Sequence, residues 1–264
     1  MKHVSRAAVA VVSLGCASIG FGAIPGTMYA VDSSRALFTV DINTGAKTSI
    51  GAVSANAGTA AGMTYDPVSG TVYLTSTSND SVYSLDLTTG NATLIGAYGD
   101  SAVVMHGLEW DSSTNTLWGA SSHNGGLYKI DTTTGLATLV GTSGLTSFTN
   151  LAHNSLTNVM YATNSGSDSF YTMDRDTGLV SLIGPLTGPT NPNGLAFNVD
   201  DGNIYLVDNS TDNFYKINTA TGAADVIGAM GSGNLLGLVY IPIPAPGAGA
   251  LLGVAGLAAI RRRR

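Results

Sequence analysis

The stretch MDRDTGLVSLIG, residues 173–184, contains a short element that recurs along the chain and decides the fold. Asp174 is followed by Thr177-Gly178, and Gly184 comes six residues after the first glycine. Successive Thr-Gly pairs lie 43 to 45 residues apart, at 44–45, 89–90, 134–135, 177–178 and 221–222. The glycines that close the units are Gly51, Gly96, Gly141, Gly184 and Gly228. Self-similarity at this period predicts a repeat architecture.

Each unit contains four short apolar segments bounded by Gly, Asp, Asn or Ser, which predicts four strands, a to d. In the second unit, for example, strand a is GMTYD (62–66), strand c is VYSLD (82–86) and strand d is ATLIG (92–96). Strand b is predicted to end at an aromatic residue in every unit: Tyr29, Tyr73, Trp118, Tyr161 and Tyr205. Four antiparallel strands in a unit of this length are typical of a β-propeller blade.

The two ends of the repeat region are complementary. The first unit begins at strand b, and the chain finishes the last unit with an additional strand a at 236–240. We therefore predict a five-bladed, all-β propeller over 26–240, in which strand 236–240 joins the three N-terminal strands (27–51). Closure in this way removes exposed sheet edges. An open solenoid is the alternative, but it would not need complementary ends.

The triplet Asp176-Thr177-Gly178 has the form that carries the catalytic carboxylate of aspartic proteases. The other units have Asn43, Thr88, Thr133 and Ala220 at the aspartate position. A paired-acid site therefore cannot be assembled. We interpret the element as a hairpin turn, in which Asp174 accepts a backbone N–H and Gly178 supplies a positive φ. Of the 19 aromatic residues, 16 fall at repeated strand positions and are predicted to pack between blades.

Residues 1–25 are predicted to be a secretory signal peptide, with a basic start at Lys2, His3 and Arg6 and an apolar run from Ala7 to Leu14. Cys16 is the only cysteine, so no intrachain disulfide is expected. Lipidation of Cys16 is an alternative fate for this segment.

The C-terminal segment, 241–264, has three parts: spaced prolines, an apolar run from Gly247 to Ile260 and an arginine cluster. It resembles the sorting tail of the PEP-CTERM family, with Pro244-Ala245-Pro246 in place of Pro-Glu-Pro and the cluster Arg261, Arg262, Arg263 and Arg264. The resemblance implies an exosortase-like processing enzyme as partner, transient residence in the inner membrane, and a cell-surface or matrix location in a bacterium that makes extracellular polysaccharide. An ordinary C-terminal membrane anchor is the alternative.

The predicted propeller is acidic. Residues 25–240 contain five Lys and Arg residues and all 17 acidic residues, a net charge of −12. A domain with this negative charge repels the phosphate backbone of nucleic acids, so nucleic-acid binding is not expected.

Candidate ligand-binding residues are those that break the repeat on the face formed by the b–c and d–a loops. His106 and Glu109 are unique at their strand-a positions, and Glu109 is the only glutamate in the chain. Being three residues apart on a strand, they are predicted to point to opposite sides. His123 and Asn124 lie in the b–c loop of the same unit and are predicted to approach His106. His153 replaces a strand-a aromatic and is predicted to be core.

No cofactor is predicted. A calcium site at Asp208 and Asp212 is an alternative, because the last b–c loop offers two carboxylates and two amides. The predicted function is a non-enzymatic binding or structural module, with polysaccharide or a surface protein as partner. The alternative is a glycan-active hydrolase or lyase with its site on the loop face, for which Glu109 is the candidate acid.

Overall fold

The computed structural model describes residues 26–243, and it confirms the five-bladed β-propeller. Twenty strands form five antiparallel sheets of four strands each, and one short 3₁₀ helix, Ala55–Ala57, precedes the second blade. The predicted signal peptide and the sorting residues 244–264 lie outside the described residues. Between residues 26 and 243, no helix is long and apolar enough to cross a membrane.

Each blade is named here by its position in the ring. Blade 1 contains β20 (Leu235–Ile241), β1 (Thr27–Asp32), β2 (Ala36–Val40) and β3 (Lys47–Ala52). Blade 2 contains β4 (Ala60–Asp66), β5 (Thr71–Ser76), β6 (Ser81–Leu85) and β7 (Ala92–Ala97). Blade 3 contains β8 (Met105–Asp111), β9 (Thr116–Ser121), β10 (Gly126–Ile130) and β11 (Ala137–Thr142). Blade 4 contains β12 (Phe148–Asn154), β13 (Val159–Asn164), β14 (Ser169–Met173) and β15 (Val180–Pro185). Blade 5 contains β16 (Pro192–Asn198), β17 (Asn203–Asp208), β18 (Asn213–Ile217) and β19 (Ala224–Ala229).

The ring closes as predicted. Strand β20 pairs antiparallel with β1, with Tyr240 opposite Met28. The inner strands β20, β4, β8, β12 and β16 each contact the next, and β16 contacts β20 in turn. The N- and C-terminal segments of the propeller therefore share one sheet.

The predicted end of strand b was wrong. The aromatic is the third residue of the strand, as Tyr29 is in β1, and the strand runs three residues further. The following residues Ala30 and Val31 are fully buried. A strand that is buried on both faces loses the alternation of polar and apolar residues from which its end would be read.

The turn between strands c and d has the predicted geometry in all five blades. The Asp or Asn side chain after strand c accepts the backbone N–H two residues later at 2.8–2.9 Å. The glycine of each Thr-Gly pair has a left-handed conformation, with φ between 72° and 80°. Asp174 is the accepting residue in blade 4, which confirms that the Asp-Thr-Gly triplet belongs to a hairpin turn.

These turns also join neighbouring blades, which the sequence did not predict. A Cβ at Gly178 would lie 2.7 Å from the backbone of Gly141, at the end of the outer strand of the preceding blade. In the reverse direction, a Cβ at Gly141 would lie 2.0 Å from the carbonyl oxygen of Thr177. The same approach joins Gly135 to Gly96, Gly222 to Gly184, and Gly45 to Gly228 across the closure. At these four junctions both glycines are therefore needed for the backbones to touch, whereas at the junction of blades 1 and 2 Gly90 approaches the carbonyl oxygen of Ala52 and Gly51 has no such contact.

The aromatic side chains pack between the blades, as predicted, and they also stack on one another within a blade. Tyr73 of blade 2 stacks on Trp110 of blade 3, with ring centroids 6.0 Å apart. In blades 4 and 5, the strand-b tyrosine stacks on a strand-c phenylalanine, Tyr161 on Phe170 and Tyr205 on Phe214. Contacts of this kind add to the burial of the apolar faces.

We predict that Gly178→Ala lowers the free energy of unfolding by about 2–4 kcal/mol, because a positive φ is strained for alanine and the new methyl group meets Gly141. Gly70→Ala is the matched control. Its φ of 74° equals that of Gly178 within two degrees, but nothing lies within 4 Å of its Cβ position. It should cost only about 1 kcal/mol. Urea denaturation measures the free energy of unfolding of both variants. If the two substitutions lowered it equally, a role for the contact between blades would be contradicted.

Candidate functional site

The face formed by the b–c and d–a loops has a polar cavity of about 360 Å³ at its centre, here called the polar mouth. Three positions of the repeat line it: the residue before strand a, the second residue of strand a and the first residue after strand b. Its lining consists of four hydroxyl side chains, four amides, one histidine and one leucine: Ser122, Ser147, Thr149, Ser165, Asn191, Asn193, Asn209, Asn234, His106 and Leu236. No Asp, Glu, Lys or Arg belongs to this lining.

Hydrogen bonds between neighbouring blades hold the lining in place. The amide of Asn209 donates to Oδ1 of Asn234 at 2.6 Å, and the amide of Asn234 donates to Oγ of Ser33 at 3.1 Å. Thr149 donates to the carbonyl oxygen of Pro192 at 2.8 Å. The mouth is therefore formed before any ligand arrives.

His106 belongs to this mouth, as predicted. Its Nδ1 lies 2.9 Å from Oγ of Ser122, in the adjacent b–c loop. Burial lowers the pKa of His106 below its usual value, so that the imidazole is neutral at neutral pH. The mouth as a whole is consequently uncharged.

His123 and Asn124 do not join His106. Both are exposed, and neither lines the cavity. Asn124 turns towards its own blade, where its amide donates to the hydroxyl of Tyr128 at 2.6 Å and its Oδ1 accepts the N–H of Gly126. The amide of Asn124 therefore orders its own loop.

Asp208 supports the mouth from behind. Its Oδ2 accepts the backbone N–H groups of Thr190 and Asn191, at 2.9 and 2.6 Å. Its Oδ1 accepts those of Ser210 and Thr211 and the hydroxyl of Thr211. Five donors thus occupy a buried carboxylate, which ties the d–a loop to the b–c loop.

Asp212 occupies a turn, with a left-handed φ of 52° and its carbonyl oxygen accepting the N–H of Met230. Across the described part of the chain, no three His, Cys, Asp or Glu side chains are grouped so that they could hold a metal ion. Within residues 26–243, the calcium alternative at Asp208 and Asp212 is therefore not supported by a cluster of such side chains.

Glu109 corrects a second prediction. It lines the opposite end of the propeller from His106, and both side chains face the central channel instead of opposite sides of the sheet. The reason is a β-bulge: Met105 and Gly107 pair with consecutive residues of β9, which leaves His106 as the extra residue. A bulge shifts the alternation by one residue. All five inner strands have such an irregularity near their start.

A second cavity, here called the aromatic cavity, opens where the a–b loops meet and has a volume of about 300 Å³. The sixth residue of each inner strand contributes to its wall, which gives Tyr65, Trp110, His153, Phe197 and Tyr240. Glu109 is its only acidic residue, and no Lys or Arg lines it.

Burial in this cavity raises the pKa of Glu109 to about 8. Hydrogen bonds from the backbone of His153 and the side chain of Thr64, whose Oγ1 lies 3.4 Å from Oε2, offset part of the rise. Asp111, on the same strand, adds to it by charge repulsion. At neutral pH the folded protein therefore holds Glu109 mainly in its protonated form.

A polar cluster beside the aromatic cavity was not predicted. Arg175, in the c–d turn of blade 4, forms an ion pair with the fully buried Asp111 of blade 3. Burial alone raises the pKa of Asp111, but hydrogen bonds from Ser113 and Thr114 and the nearby His153 outweigh this and hold the pKa at about 2. His153 is buried, as predicted, and its Nε2 lies 3.1 Å from Oδ1 of Asn158.

The polar mouth had a signal in the sequence that was not used. The first residue after strand b is Ser, Thr or Asn in all five units: Ser33, Thr77, Ser122, Ser165 and Asn209. A position that is polar in every unit and lies at the end of a buried strand indicates a shared polar surface. The aromatic cavity had no such signal, because its aromatic residues read equally well as core.

A family model described as a repeat of unknown function, DUF6923, matches residues 9–147, more than half of the chain. The chain belongs to the DUF6923 family. Among curated proteins, no sequence matches it.

Solved structures similar to this DUF6923 protein share its fold at low identity. A chain of a nidogen/laminin complex has a TM-score of 0.59 and 14% identity, over 83% of this chain and 82% of that one. A symmetrical protein whose de novo evolutionary emergence is shaped by folding constraints has a TM-score of 0.56 and 21% identity, over 83% of this chain and 100% of that one. A streptogramin B lyase has a TM-score of 0.50 and 15% identity, over 84% of this chain and 67% of that one. At such identities these likenesses concern the fold alone.

We predict that Glu109 makes the DUF6923 protein less stable as the pH rises from about 5 to 8. The unfolded glutamate ionises near its ordinary value of 4.5, whereas the folded one stays protonated to about pH 8, so the folded state binds more protons in this window. Glu109→Gln should remove this loss of stability. Denaturation midpoints measured at each pH compare the two proteins, and their difference isolates Glu109 because the histidines titrate in both.

Asp225→Asn, which removes an exposed carboxylate on β19, is the control for loss of a charge. It should leave the pH profile parallel to that of the wild type. A parallel profile for Glu109→Gln would contradict a Glu109 that stays protonated in the folded protein.

Proposed function

We propose that this DUF6923 protein is an exported, non-enzymatic binding module that holds a neutral polysaccharide in its polar mouth. One observation carries the proposal: a preformed cavity of about 360 Å³ lined by hydroxyls, amides and a neutral imidazole, with no charged side chain. Such groups both donate and accept hydrogen bonds, as the hydroxyl groups of a sugar require.

Charge supports a neutral ligand over an anionic one. The propeller carries a net charge of −12 over residues 25–240, which repels acidic polymers. Because hydrogen bonds between blades already fix Asn209 and Asn234, little side-chain entropy is lost on binding. No aromatic side chain lines the mouth for stacking on a sugar ring, so we expect weak binding carried by hydrogen bonds.

The proposed location is the cell surface or the extracellular matrix, reached through the signal peptide and the sorting tail. The support for it is the three-part pattern of residues 241–264: spaced prolines, an apolar run and four arginines. In this proposal an exosortase-like enzyme processes the tail while the chain resides in the inner membrane. A matrix location places the polar mouth next to extracellular polysaccharide.

A glycan-active hydrolase or lyase is the second candidate, favoured by the raised pKa of Glu109, which suits a general acid. The chemistry requires a second carboxylate at about 5–10 Å, and the nearest acid along the strand, Asp111, is engaged by Arg175, Ser113 and Thr114. The candidate site would also lie at the aromatic cavity and not on the loop face. Likeness to a streptogramin B lyase adds no support beyond the shared propeller.

We predict that the purified protein is retarded by neutral polysaccharides in affinity electrophoresis, and that His106→Ala weakens the interaction about tenfold. The substitution removes one hydrogen-bonding group from the mouth and deprives Ser122 of its imidazole partner. Dextran, galactomannan and soluble cellulose derivatives are suitable neutral polymers, with alginate as the acidic comparison. His123→Ala is the matched control, since His123 is exposed and lies outside the mouth.

Three outcomes would contradict this proposal: no retardation by any neutral polymer, stronger retardation by alginate, or an equal effect of the two histidine substitutions. A reducing-end assay on the same polymers covers the second candidate. New ends that form with the wild type and disappear with Glu109→Gln would establish the hydrolase instead.

For the sorting proposal, we predict that the mature protein ends near Pro246 and lacks Arg261 to Arg264. Mass spectrometry of the protein recovered from envelope and medium fractions measures both termini. A mature chain that retains the arginines would contradict processing and favour the ordinary membrane anchor. The same spectra report whether Cys16 is present and lipidated.

A further inference from the structure

The aromatic cavity combines two features that the proposed polysaccharide site does not use. Its wall contains four aromatic rings, Tyr65, Trp110, Phe197 and Tyr240, one from each of four blades. Glu109, from the third blade, is the only acidic group in its lining. The central channel brings these five side chains together although they are up to 175 residues apart in the chain.

No cationic side chain lines the cavity beside the carboxyl group of Glu109. Arg175 is engaged by Asp111 and Asn158 outside it. His153 is the remaining titratable nitrogen in the wall, and burial lowers its pKa, which keeps it neutral at neutral pH. The site therefore offers a carboxyl group without a cationic partner in an apolar surrounding.

We propose that the aromatic cavity binds a small organic cation, such as a quaternary ammonium group, between its aromatic wall and Glu109, which releases its proton to solvent as the cation enters. Aromatic rings attract a cation, and a cation close to Glu109 favours the ionised form of its carboxyl group. A volume of about 300 Å³ is at the lower end for ligand pockets and fits a molecule of this size.

Other ligand classes fit less well. An anion would be repelled by the net charge of −12 and would meet no Lys or Arg in the lining. A purely apolar molecule would cover the carboxyl group without replacing its contact with water, which costs free energy. A cation supplies the missing partner and is attracted by the acidic body of the protein.

Isothermal titration calorimetry with choline tests the proposal, and 3,3-dimethylbutan-1-ol serves as the neutral molecule of the same shape. Choline should bind at least about tenfold more tightly than the neutral alcohol, since only the cation gains from the rings and the carboxylate. Glu109→Gln should remove most of this preference. His123→Ala, an exposed substitution outside both cavities, should leave it unchanged.

Equal affinity for choline and the neutral alcohol would overturn the proposal, and so would an undiminished preference in Glu109→Gln. The comparison of the two ligands on the wild type needs no variant, so a folding defect cannot obscure it. Trp110→Leu provides a second variant, which should weaken choline binding more than it weakens binding of the alcohol. Failure here would leave the polysaccharide proposal untouched, because the polar mouth shares no residue with this cavity.

Discussion

The contact between the Thr-Gly turn of one blade and the closing glycine of the blade before it is the constraint on which the ring depends. Backbone approaches backbone at these points, with no room for a methyl group at Gly141 or Gly178. The same contact between Gly45 and Gly228 joins the first and last repeats. Four of the five junctions use this pair of glycines, and at the junction of blades 1 and 2 Gly90 approaches Ala52 instead. The repeated approach of backbones brings the blades round until β20 lies beside β1.

This closure creates the two cavities. Inner strands from all five blades must converge for a channel to exist, and convergence places equivalent residues of the repeat around one axis. Symmetry alone would give identical rings of side chains. Function therefore has to come from residues that differ from their equivalents in the other units. Glu109 is one, since the other units have Thr64, Ala152, Ala196 and Val239 at this position.

Repetition made the architecture predictable from the sequence, because five copies of one turn reveal the period, the strand count and the complementary ends. The site was less predictable. Glu109 was placed on the wrong face since the bulge at His106 depends on pairing with β9, which the alternation of one strand does not reveal. The pair of Arg175 and Asp111 joins residues 64 positions apart in different blades, and such a contact follows only from the assembled ring. The end of strand b was missed because a strand that is buried on both faces has no polar side to mark it.

The bulge in each inner strand has a further consequence. In blade 3 it gives two channel-facing positions three residues apart, one at each end of the axis, and these positions share no hydrogen bond or cavity wall. A change of side chain at one end need not disturb the other. A single ring of repeats can thus diversify its two ends separately, so that one polypeptide presents a polar, uncharged cavity at one end and an aromatic cavity with a single carboxyl group at the other.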